Sequence, residues 1–178
     1  MEIVVPEEFK HLYVQNSKRP VVKIPAPILR QKAVPIDRIA TKHLKLIDEM
    51  IRVMKLSNGV GIAAPQIGSG LRIVVVAPDQ KPIPLINPVV VEVSQETEIG
   101  EEGCLSIPGL YGDVERPAQI VVEAYDRKGN PVSYEMAGMA ARVVQHEVDH
   151  LDGILFIDKV DRSTLHWQNP DKARDPAG

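Results

Sequence analysis

One cysteine, Cys104, stands alone in a chain of 178 residues, so no intrachain disulfide can staple the fold, and this usage fits a reducing compartment. An excess of positive charge is missing too. The 21 basic and 24 acidic residues leave a net charge of −3, which excludes the strong basic field of a nucleic-acid binder. No stretch approaches membrane-spanning length, and the opening Met1–Glu8 has no basic segment leading into an apolar run, so neither a membrane span nor a secretory signal is expected. No internal repeat is visible. The small-residue run from Gly59 begins Gly-x-Gly but lacks the third glycine and follows a helical pattern, which excludes the dinucleotide fingerprint. These exclusions lead to the expectation of a cytoplasmic protein, unless a transit peptide has been removed. With 44% hydrophobic residues, one domain over 1–178 is expected, with an N-terminal extension over about 1–19 and a flexible tail over about 162–178.

Prolines at 6, 20, 25, 27 and 35 deny helix to the first 35 residues and make them an irregular wrap. Ala40, Leu44, Ile47, Met50, Ile51 and Met54 recur three or four apart, predicting a helix over 37–56 with Asp37 as its cap. Leu71–Ala77 and Val89–Val93 are rich in β-branched residues and predict strands. Two further segments, 118–126 and 131–136, flank Arg127-Lys128-Gly129-Asn130 and predict a hairpin, while 94–100 reads only as a polar stretch. A second helix is expected from Gly138 to near Gly153, with Met139, Val143, Val144, Val148 and Leu151 embedding it in the core.

That second helix carries His146-Glu147-Val148-Asp149-His150. At about 100° per residue, the two histidines are offset by about 40°, and Glu147 lies about 60° to the far side of His150. Such a pair can hold a divalent metal while the carboxylate reaches a water beside it. A His-Glu-x-x-His pattern arises by chance in about one chain of this length in two hundred, so it is a signal but not a demonstration. Catalytic sites of this kind use a third protein ligand. The longer protease pattern asks for histidine at 156, where this chain has Phe156, so the ligand is either a distant acid or a residue upstream. Cys104 is the economical candidate, a soft thiolate that a metal would hold ionised; its bland alternative is a small buried apolar residue. Gln66, an amide in an apolar neighbourhood, needs partners of its own. Glu102 and Arg116 are the right types for an ion pair.

Three stretches taken together, Gly59-Val60-Gly61-Ile62-Ala63-Ala64-Pro65-Gln66, Glu102-Gly103-Cys104-Leu105-Ser106 and His146–His150, resemble the signature motifs of the peptide deformylases over roughly residues 20–160. The resemblance implies an α+β fold, with antiparallel β-sheets packed around a central metal-binding helix. It also implies an activity, removal of the formyl group from the N-terminal formyl-methionine of newly made polypeptides. By the same resemblance Cys104, His146 and His150 bind the metal, most often Fe(II) in the family, and Glu147 is the acid/base. Gln66 and the backbone N–H of Leu105 steady the carbonyl oxygen, and Gly61 contacts the substrate backbone. Some members carry arginine where this chain has Tyr111, so a substrate role for that arginine does not transfer.

Such a metal lowers the pKa of its water from about 16 toward 7, and Glu147 would relay the proton from water to the leaving amine. Val60, Ile62 and Val143 are expected to wall an apolar pocket for the methionine side chain. A Cys and two His also accept Zn, Ni or Co. The partner would be the nascent formylated polypeptide at the ribosome, with no nucleic acid or membrane bound directly. Two alternatives stand: a metallopeptidase cleaving internal peptide bonds, and a non-catalytic metal-binding module.

Overall fold

A computed structural model describes residues 1–171, and all structural statements here concern those residues. The chain is α+β. A five-stranded antiparallel sheet has the order β1-β2-β3-β6-β7, formed by Gly61–Ala63, Ile73–Val76, Ile83–Val93, Gln119–Tyr125 and Pro131–Ala137. A three-stranded sheet has the order β4-β5-β8, formed by Thr97–Cys104, Ile107–Pro117 and His166–Trp167. Two α-helices, α1 (Thr41–Leu56) and α2 (Gly138–Leu151), complete the framework.

Strand β2 shows why the layers form as they do. All four of its residues are buried, and successive side chains point to opposite faces. Ile73 and Val75 join Ile47, Met50 and Met54 of α1, whereas Val74 and Val76 join Ala141, Val144 and Leu151 of α2. One half of the large sheet therefore has a helix on each face. The other side of α2 turns toward the small sheet, where Arg142 donates to the carbonyl of Val114 and Gln145 to that of Pro117. Helix α2 is thus enclosed by both sheets, and its sequence is correspondingly polar on the side of the small one.

Several elements depart from expectation. Helix α1 starts at Thr41 and not at Asp37, because Asn87 binds both the N–H and the carbonyl of Ile36 and holds the preceding segment extended. His43 Nδ1 then accepts from the Ala40 N–H at the helix start. Strand β3 runs through Asn87-Pro88 instead of starting after it. A register irregularity between Ile86 and Val89 absorbs the proline, which has no N–H to offer a partner. The stretch read as merely polar contains the first half of β4. Its first residues are exposed on both faces, so no apolar alternation marks it. Met139, expected in the core, is 64% exposed at the start of α2.

The tail also differs from the expected free segment. Leu110 and Tyr111 of β5 pair with Trp167 and His166 of β8, and Asp161 caps the 3-10 turn Arg162–Thr164. Residues 172–178, the remainder of the expected tail, lie outside the described residues.

Candidate active site

Helix α2 and the β4–β5 hairpin bring the histidines to the cysteine. One ligand atom from each of Cys104, His146 and His150 lies within 4.8 Å of the other two, and Cys104 Sγ is 3.4 Å from His150 Nε2. The imidazoles meet edge to face with centroids 5.1 Å apart. Their donor set, a soft thiolate and two imidazole nitrogens, suits a first-row divalent metal. Phe156, which cannot be a ligand, instead stacks against His146 with centroids 6.3 Å apart.

A buried polar cluster orients this triad. Glu102 is 6% exposed and accepts from Arg116, from Arg142 Nη1 at 2.9 Å, and from His146 Nδ1 at 2.8 Å. Because Nδ1–H is committed to Glu102, the opposite ring nitrogen of His146 is the one left for a metal, the usual arrangement of a metal-binding histidine. Burial raises the Glu102 carboxyl, but the hydrogen bonds from Arg116 and His146 outweigh it and hold it down at about 2. Arg116 also reaches Asp149 at 2.8 Å, and Lys159 closes the outer side of Asp149. The Glu102–Arg116 pair is fully internal, and removing one partner of such a pair typically costs about 3–5 kcal/mol. Arg142 escaped the sequence reading. Its signal was a cation one helical turn before His146, on the side of the helix that packs.

The first motif supplies the opposite wall. Glu147 lies directly over Gly61: a Cβ there would meet Glu147 Oε1 at 2.6 Å. Glycine at 61 therefore makes room for the carboxylate. Glu147 is 5% exposed, burial pushes its carboxyl up to about 7, and its Oε2 has no hydrogen-bond partner among the described residues. An orphaned acceptor beside a ligand triad fits a group that handles a proton. Gln66 is 1% exposed, and its amide is answered on both ends. Oε1 accepts from the Ala63 N–H at 2.9 Å, and Nε2 donates to Ser106 Oγ at 3.2 Å and faces Cys104 Sγ at 3.6 Å.

A cavity of about 560 Å³ opens over these groups, within the ordinary range for small-molecule sites. Gly61, Gln66, Cys104, Leu105, His146 and Glu147 all contribute to its surface. Val60 and Val143 line it as well, joined by the exposed Met139. His150 sits behind the surface, 1% exposed. Ile62 requires correction as a pocket wall. Neighbours in a strand point to opposite faces, so while Gly61 meets Glu147, the Ile62 side chain enters the core beside α1, fully buried.

An α+β fold holding a cysteine, two histidines and a carboxylate at the floor of an open cavity has the form of a metal-dependent hydrolase. The sequence model of one family, polypeptide deformylase, matches residues 18–166. The peptide deformylase of Dictyoglomus thermophilum is 48% identical over 147 residues, covering 83% of this chain and 95% of its own. That of Halothermothrix orenii is 49% identical over 142 residues, covering 79% and 92%. Among solved structures, the peptide deformylase of Thermotoga maritima superposes with a TM-score of 0.79 at 39% identity, over 82% of this chain and 99% of that one. The Synechococcus elongatus enzyme in complex with actinonin gives 0.79 at 38% identity, over 84% of each chain. The chain belongs to the polypeptide deformylase family.

Proposed function

We propose that this chain hydrolyses the formyl group from the N-terminal formyl-methionine of nascent polypeptides, with Cys104, His146 and His150 as metal ligands and Glu147 as general acid/base. The carrying observation is the cluster of three ligand atoms within 4.8 Å beside Glu147, a buried carboxyl whose Oε2 has no hydrogen-bond partner among the described residues. A divalent metal held by that triad supplies positive charge and an acidified water at neutral pH. Fe(II) is our choice for the resident metal, with Zn, Ni or Co as substitutes, because thiolate and imidazole suit all four.

Burial raises the Glu147 carboxyl above the usual carboxylate range, which suits it to take a proton during attack and return it to the departing amine. Gln66 keeps its carboxamide fixed through Ala63 and Ser106, which aims its Nε2 into the cavity without reorganisation. With the Leu105 N–H it would hold the carbonyl oxygen as charge develops there. Gln66→Leu should retain metal and slow turnover about a hundredfold or more, since one such donor is worth about 3–4 kcal/mol. An unchanged kcat would remove Gln66 from this role.

Val60, Val143 and Met139 form the apolar surface for the methionine side chain, with Gly61 beside the substrate backbone. No helix among the described residues is long and apolar enough to cross a membrane. The substrate places the enzyme where chains start with formyl-methionine, near the ribosome in a bacterial-type cytoplasm or an organellar stroma or matrix. The decisive assay is formate release from formyl-Met-Ala, run beside an unblocked peptide. Formate from the first with no cleavage of the second is expected. Cleavage of internal bonds would make the chain a metallopeptidase, and bound metal with neither activity a passive metal-binding module.

A further inference from the structure

The cavity is lined by more residues than the groups at its floor, and part of its wall comes from residues that precede the family match. His11, Leu12, Val14 and Asn16 line it, whereas the matched region begins at residue 18. These side chains belong to a segment anchored at both ends. At one end, Phe9 in the 3-10 turn Glu7–Tyr13 is 8% exposed and packs on Trp167 with ring centroids 5.1 Å apart. It fits there because position 109 is glycine: a Cβ at Gly109 would meet Phe9 Cδ1 at 2.9 Å and Leu12 Cδ1 at 3.3 Å. At the other end, Arg52 of α1 donates to the Lys18 carbonyl at 3.0 Å, and Arg19 to the Leu56 carbonyl at 3.4 Å. The segment therefore runs from the hairpin that bears Cys104 to the end of the helix that leads into Gly61, bridging the two walls of the cavity.

We infer that residues 11–16 form a substrate-contacting wall, touching the residues of the formylated peptide that follow the methionine. This rests on the deformylase reading. The formyl group must reach the floor at Glu147 and Cys104, and the methionine side chain is taken by Val60, Val143 and Met139. A peptide of any length then has to leave along the rest of the cavity, where Leu12 and the 67% exposed Val14 present apolar surface to it. Free protein gains nothing from exposing those side chains to water, whereas a bound peptide would cover them.

The test compares formyl-Met-Ala with formyl-Met-Ala-Ser-Val on the full chain and on a Leu12→Ser/Val14→Ser variant. In the variant, the ratio of kcat/KM for the longer peptide to that for the shorter should fall about tenfold, carried by KM, as expected when binding contacts distant from the chemistry are lost. Phe9→Ala, which frees the anchored end, should lower the same ratio. An unchanged ratio in both variants, or an equal loss on both substrates, overturns the inference. Absence of formate from wild-type protein with either peptide would instead defeat the deformylase reading, so the two failures are distinguishable.

Discussion

Glu147→Gln should keep its metal and lose formate release by about 10²- to 10⁴-fold, the usual worth of a positioned acid/base. The amide has nearly the shape of the carboxyl, so it can still lie against Gly61, where the wild-type side chain has only the space that a missing Cβ leaves. Packing is preserved and only proton transfer is removed. Burial raises the wild-type carboxyl to about 7 before any metal charge is added, which makes it a stronger proton acceptor than a free carboxylate and one able to return the proton; glutamine does neither. Metal analysis and formate assay on the same preparation make the measurement. If the metal leaves with the carboxylate, Glu147 is a ligand and the division of labour proposed here is wrong.

Cys104→Ser should have the other large effect, this time on metal content. Serine keeps the side-chain size but replaces a soft thiolate with a hydroxyl that stays protonated at neutral pH. Loss of an outer hydrogen-bond partner already costs about 10–100-fold in metal affinity, and loss of a ligand itself should cost more. Metal stoichiometry should fall, with activity falling in proportion. The hairpin should survive, because its register depends on the backbone ladder of β4 and β5 and on Glu102 with Arg116, not on the thiol. Normal stoichiometry with full activity would reduce Cys104 to a packing residue.

The helix bearing His146 and His150 was legible in the sequence because its apolar positions repeat with the helical period on the side that meets the large sheet. The hairpin of β6 and β7 was legible through its turn residues. Strand β4 was not, since both faces of its first half meet water and polar residues on both faces leave no alternation. Met139 shares the helical spacing of true core residues, yet it falls on the first turn, where α2 projects into the cavity mouth. Periodicity reports which residues are apolar, not whether a neighbouring element arrives to cover them. The role of residues 11–16 was invisible for a related reason: it depends on Gly109 and Trp167, about a hundred residues or more away, and on the local accommodation that only the folded chain provides. Glu102 and Arg116 could be paired from the sequence by type. That the same carboxylate also serves Arg142 and His146 required the fold, which sets a helix and a hairpin side by side.

The Glu102 cluster has a consequence for how tightly a metal is held. A histidine ring that must be ordered when an ion arrives subtracts that ordering entropy from affinity. Here the His146 ring is already oriented by Glu102, Glu102 is fixed by two arginines, and Arg116 is tied to Asp149. The cost of arranging the ligand is met during folding, so the ion's own bonding energy goes into retention. A surface change far from this cluster leaves the ring oriented and need not loosen the ion from the folded protein, while a change at Arg116 or Arg142 should disturb the fold and the ion's retention together.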